Sequence, residues 1–184
     1  RYRENLDICQ RLAAISPQVY EPSLAMAQNN LGLLCSDTQR YEESEEMYLS
    51  AMEIYRRLAA VNPQVYEPGL ATTQNNLGSL YRDTQRYEDS EKMYLSAVEI
   101  YQRLSVANPQ VYEPDLARTQ NNLGLLYKDT RRYEDSEEMY LSAVEIYQRL
   151  TIANPQVYEP DLARTQNNLG LLYSDTRRYG DSEK

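Results

Sequence analysis

The sequence predicts an all-α solenoid of stacked antiparallel helix pairs. Three observations predict it. Gln-Asn-Asn-Leu-Gly occurs four times, at residues 28–32, 74–78, 120–124 and 166–170, and the 46-residue period fills the 184-residue chain. Each period holds two stretches with apolar residues at helical spacing, separated by a short turn. A unit of this size cannot bury its apolar face alone, so it must stack on its neighbours. The repetition is close. Residues 93–138 and 139–184 differ only at Ser105/Thr151, Val106/Ile152, Lys128/Ser174, Glu134/Gly180 and Glu138/Lys184. With no insertion or deletion, one geometry serves every step, and residues 1–184 are expected to form a single array.

The first helix of a period is clearest at residues 114–130. Pro114 suits a first helical position, where its missing N–H would be unpaired anyway. Leu116, Leu123, Leu126 and Tyr127 make one apolar stripe, and Arg118, Asn121, Asn122, Lys128 and Asp129 share the opposite arc. Gly124 sits mid-helix, where glycine costs roughly 1 kcal/mol against alanine. Its recurrence as Gly32, Gly78 and Gly170 predicts close approach by the backbone of a neighbouring helix. Residues 130–133 form a short turn. The second helix covers residues 134–153, with Met139, Tyr140, Ala143, Ile146, Tyr147 and Leu150 on its buried side. Its acidic start and Arg149 near its end suit the helix dipole. Residues 154–160 read as a link into the next first helix. All eight prolines fall in such links, so none is expected to interrupt a helix. The chain starts inside a second helix, since residues 2–12 align with 48–58, and stops soon after another begins. This predicts seven substantial helices and a terminal stub, in a chain that looks excised from a longer one and shows no signal peptide.

Composition narrows the function. The net charge is −9 and the pI about 4.7, which argues against nucleic acid and anionic membranes as partners. No apolar run approaches the roughly 20 residues that span a bilayer. Cys9 and Cys35 occupy slots that hold Tyr55, Tyr101 and Tyr147, and Tyr81, Tyr127 and Tyr173, in other periods. They read as buried substitutes in a reducing, cytoplasmic setting rather than a redox pair. Eighteen tyrosines and no histidine leave the commonest general base and metal ligand missing. No metal-ligand cluster, phosphate-binding glycine loop or nucleophile–base pair is present. The reading is therefore a non-enzyme without cofactor or metal.

The first helix and turn resemble the tetratricopeptide repeat, whose pattern is W-x2-L-G-x2-Y, then A-x3-F, then P. The second period shows Gln74, Leu77, Gly78 and Tyr81, then Ser90 and Tyr94, then Ala97. The match recurs throughout, apart from Cys35 and the incomplete last helix. Gln replaces the usual Trp; Ser44, Ser90, Ser136 and Ser182 replace Ala; Gln39, Gln85, Arg131 and Arg177 stand where the turn has Gly. The period is longer than the usual 34 or so residues, as in the long-helix subgroup similar to kinesin light chain repeats. HEAT or armadillo solenoids fit the period but lack the Leu-Gly/Tyr spacing. The resemblance implies a right-handed superhelix whose first helices line a concave peptide-binding groove.

On that implication the candidate groove residues are Asn29, Asn30, Asn75, Asn76, Asn121, Asn122, Asn167 and Asn168, with Arg82, Arg118, Lys128, Arg164 and Leu125. Asparagine is a poor mid-helix residue, but its amide can hold a peptide backbone whatever the side chains. Equally, one Asn of each pair could tie neighbouring helices together. The basic residues suggest an acidic segment or a C-terminal carboxylate as ligand. Leu33, Leu125 and Leu171, with Ser79 in the second period, either join adjacent first helices or floor a ligand site. Tyr20, Tyr66, Tyr112 and Tyr158 are expected to pin the links. The expected function is a protein- or peptide-binding scaffold. The alternative is an architectural module that self-associates end to end.

Overall fold

The computed structural model describes residues 2–176. Within them lie eight helices: α1 (Tyr2–Ile15), α2 (Pro17–Asp37), α3 (Tyr41–Val61), α4 (Pro63–Asp83), α5 (Tyr87–Ala107), α6 (Pro109–Asp129), α7 (Tyr133–Ala153) and α8 (Pro155–Asp175). That is one helix more than the seven expected. The terminal stub, with Arg177 and Ser182, lies outside the described residues. The even-numbered helices are first helices and the odd-numbered ones second helices.

The expected link is itself helical. Only Ser16, Asn62, Asn108 or Asn154 separates a second helix from the next first helix, which starts at Pro17, Pro63, Pro109 or Pro155. Pro22, Pro68, Pro114 and Pro160, read as helix starts, lie inside their helices. A proline there removes one bond from the first turns, and side chains brace that region instead. Arg57 donates to Glu21 at 2.8 and 2.9 Å, and Arg149 to Glu113 at 2.9 Å, each acid just preceding an internal proline. Tyr20, Tyr66, Tyr112 and Tyr158 therefore sit on helical first turns, half-buried.

The turn between paired helices follows one hydrogen-bond scheme. Arg132 N donates to Tyr127 O at 2.8 Å and Arg131 N to Lys128 O at 3.0 Å; the same pair of bonds closes α2 and α4. This is the Schellman arrangement, which places the residue after the cap in the left-handed region. Gln39, Gln85 and Arg131 adopt φ of 58°, 61° and 61° there. The departure from Gly noted in the sequence is thus a departure in residue type, not in backbone.

The chain divides into two compact units, Arg1–Ile100 and Tyr101–Lys184, with the boundary inside α5. In the N-terminal unit α2 packs on α1, α3 and α4; in the C-terminal unit α7 packs between α6 and α8, and α6 also meets α8. The glycines show how a pair closes. A Cβ at Gly32 would lie 2.8 Å from the Tyr48 ring, at Gly78 2.9 Å from Tyr94, and at Gly124 2.9 Å from Tyr140. The close neighbour is chiefly a buried aromatic ring rather than the expected backbone. Only at Gly124 is a backbone atom, Ser136 O at 3.3 Å, among the three nearest. Among the described residues nothing comes within 4 Å of such a Cβ at Gly170. The serines in the alanine slot complete the contact: Ser44, Ser90 and Ser136 donate to the carbonyls of Gly32, Gly78 and Gly124 at 2.8, 2.7 and 2.7 Å. Their hydroxyls are fully inside and satisfied, as buried polar groups must be.

Successive pairs are joined by polar contacts at their edges. Tyr81 donates to Glu45 at 2.9 Å and Tyr173 to Glu137 at 2.8 Å. Arg86 reaches the same Glu45 oxygen at 2.7 Å and lies 4.0 Å above the Tyr81 ring centre. Burial first, then the bond to Glu45 and its charge, push the Tyr81 phenol up to about 12. Cys35 fills the corresponding slot against Leu6 and Leu31 as a free, buried thiol. Cys9 is free and half-buried.

Candidate functional site

Within each unit the first helices lie beside one another and leave one face open. The asparagines run along it. Asn75 and Asn121 are only 4% exposed, whereas Asn30 and Asn167 are exposed and Asn29, Asn76, Asn122 and Asn168 intermediate. Asn76 Nδ2 donates to Asn29 Oδ1 at 3.2 Å, and Asn168 Nδ2 to Asn121 Oδ1 at 3.0 Å. Asn75 also donates to Asn76 at 3.3 Å. The second asparagine of one period thus ties to the first of the preceding one, and the buried member supports the ladder from below. This is the tie between neighbouring helices that the sequence left open, and it leaves amide capacity on the exposed members.

The four basic candidates each meet a carboxylate. Arg82 pairs with Asp83 at 3.0 Å, Arg118 with Asp115 at 2.6 Å, Lys128 with Asp175 at 2.9 Å and Arg164 with Asp161 at 2.7 Å. The face is therefore zwitterionic rather than bare positive. Arg118 Nε is buried and has no partner among the described residues. The charges of Asp161, Arg164, Arg118 and Asp115 are all felt at the Tyr147 phenol. Burial raises that phenol most; the aspartates add to the shift and the arginines oppose it. Leu125 is half-buried, and Leu33 and Leu171 are exposed. Ser79 donates to Asn75 O at 3.2 Å and shares a 2.9 Å hydrogen bond with the Tyr94 hydroxyl.

Three more residues were missed in the sequence as a set. Gln28, Gln74 and Gln120, in the family's Trp slot, are all buried, and each keeps an Oε1 without a hydrogen-bond partner. Gln74 Nε2 donates to Ser96 at 2.8 Å.

The strongest signal on this face is variation between near-identical helices. The four first helices differ at six positions. Two are inside or at the helix-packing interface: Ala27/Thr73/Thr119/Thr165 and Cys35/Tyr81/Tyr127/Tyr173. The other four are Ser23/Gly69/Asp115/Asp161, Met26/Thr72/Arg118/Arg164, Leu33/Ser79/Leu125/Leu171 and Ser36/Arg82/Lys128/Ser174. Their spacing puts them on one helical face with the asparagines. All sixteen residues are exposed or half-buried.

These features define an α-solenoid scaffold with a largely constant packing side and an open side that combines constant asparagines with variable positions. The chain belongs to the tetratricopeptide repeat family: two models of that repeat match residues 69–149 and 24–62. Membership carries the family's general role, protein–protein interaction. Solved structures share the fold. BtubC (BKLC) from P. vanneervenii is 22% identical with a TM-score of 0.61, the match covering 99% of this chain and 84% of that one. A kinesin light chain-type protein of Podosopora anserina with nearly identical TPR-like repeats is 14% identical with a TM-score of 0.67, covering 99% and 82%. A single-substitution form of that protein gives 0.68 over the same shares. The chain has no significant match among curated protein sequences. No helix of the described residues is long and apolar enough to cross a membrane.

Proposed function

We propose that the open face of the first helices binds an extended peptide segment of a partner protein. The observation that carries this reading is that, among the first helices, every solvent-facing position that varies lies on that face. Stacking keeps most contact residues the same in every period, so exposed side chains that differ are free to serve recognition. The asparagine ladder supplies amides for a peptide backbone. Acidic groups on the segment would compete with Asp115 and Asp161 for Arg118 and Arg164, exchanging one carboxylate partner for another.

The test uses peptides selected against the protein from a random library. Arg118→Glu with Arg164→Glu should weaken their binding at least tenfold, and Glu99→Lys, on an exposed site of α5, should not. Asn76→Ala with Asn122→Ala should weaken binding with helicity retained. Affinity unchanged by all open-face substitutions would overturn the reading. A mass that rises with concentration in the same samples would favour the self-assembly alternative.

A further inference from the structure

The open face of the N-terminal unit contains a cleft that the C-terminal unit's sequence does not reproduce. It lies between the N-terminal halves of α2 and α4, with a volume of about 340 Å³, lined by Pro22, Ser23, Met26, Tyr55, Val65, Tyr66 and Gly69. Met26 and Val65 are each 56% exposed. Gly69 lets the Tyr55 ring of α3 form one wall of the cleft: a Cβ there would lie 2.6 Å from that ring. Tyr55 is accordingly half-buried, whereas Tyr147, its counterpart beneath Asp161, is 1% exposed.

None of the lining residues is charged. The counterparts of Ser23, Met26 and Gly69 in the C-terminal unit are Asp115, Arg118 and Asp161. A charged ligand group entering the cleft would find no countercharge among the lining residues. An apolar group would cover Met26, Val65 and the Tyr55 ring and remove their surface from water. The volume suits a side chain, not a helix. Ser23 and Met26 lie on the same helical face as Asn29 and Asn30, so a peptide backbone held by the asparagines would bring its side chains to the cleft.

We propose that this cleft is a specificity pocket for one apolar side chain of the bound peptide. The proposal rests on the open-face reading and adds the chemistry of one anchor.

The experiment uses the full chain carrying 13C-methyl methionine, in which Met26 is the cleft's reporter and Met93 and Met139 are internal controls. The probes are N-acetyl-leucinamide, N-acetyl-glycinamide and N-acetyl-aspartamide. The leucine probe should shift the Met26 signal in a saturable way and leave Met93 and Met139 in place; the other two probes should not move Met26. Gly69→Asp should weaken the leucine response at least tenfold. Because the added side chain crowds Tyr55, Ser23→Asp, at an exposed site, is the second variant and should weaken it as well. A Met26 signal unmoved by the leucine probe, or moved equally by all three, would overturn the pocket. That outcome leaves the open-face reading standing, because selected peptides test it separately through Arg118 and Arg164.

Discussion

In the N-terminal unit, two neighbouring open-face slots hold Ser23 and Met26 on α2, then Gly69 and Thr72 on α4. In the C-terminal unit the same slots hold Asp115 and Arg118 on α6, then Asp161 and Arg164 on α8. The backbone beneath is the same: 21-residue helices, a proline start and, after α2, α4 and α6, the same turn scheme. One unit offers an uncharged cleft lined by Tyr55, and the other two ion pairs whose charges act on the Tyr147 phenol. The lesson is a division of labour along each first helix. Most side chains that meet the neighbouring helices are held constant, as where a ring and a glycine must fit together at Gly32, Gly78 and Gly124. On the open side the asparagines are constant and tie neighbouring helices; the variable side chains beside them contribute little to stacking, so their chemistry can change without altering the fold.

If that division holds, damage to the constant side should be severe and equal in both units. The broadest test is alkaline titration. Tyr48, Tyr55 and Tyr81 in one unit and Tyr147 in the other all have raised phenol values, burial being the largest cause. These groups stay neutral when folded and ionise near pH 10 when unfolded. Their contribution is full below about pH 10 and falls as pH rises through the folded values, about 12 for Tyr81. Both units should melt together above about pH 10, with phenolate absorbance appearing at the unfolding step. Phenolates that appear while the helices remain intact would contradict the packing described.

The next effect in size is local. Gly78→Val and Gly124→Val should each cost about 3 kcal/mol in urea unfolding, because Tyr94 or Tyr140 must be displaced. A large difference between the two would break the claim that the packing side is the same in both units. Smaller, and opposite in sign, is the turn. Gln85→Gly and Arg131→Gly remove left-handed strain at φ of 61° in each unit and should stabilise by up to about 1 kcal/mol, partly offset by glycine's entropy when unfolded.

The smallest effect sharpens the comparison most. Asp115→Ser with Arg118→Met gives α6 the residues of α2 at these two slots. Stability should change by only about 0.5 kcal/mol, since exposed ion pairs contribute little. The salt dependence of peptide binding should fall at the same time. A large loss of stability would show that these ion pairs belong to the structural side.

Periodicity alone determined the helix pairs, the order of the elements and the membership of the core. A 46-residue repeat with apolar residues at helical spacing has few ways to hide its apolar stripe. Tyr94, Tyr140 and Leu123 were therefore legible as interior, and the asparagines as a ladder. Helix starts were not, because two prolines compete in each link, and the Glu113–Arg149 and Glu21–Arg57 pairs that let the helix run through the second are contacts across 36 residues. The partners of Arg118 and Arg164 sit at a spacing the sequence does contain, yet which side chains pair on a crowded face depends on what lies below. Only the tertiary structure decided that Gly69 and Tyr55 meet in the wall of one cleft. The cause is a ring from another helix, brought there by packing that no local pattern records.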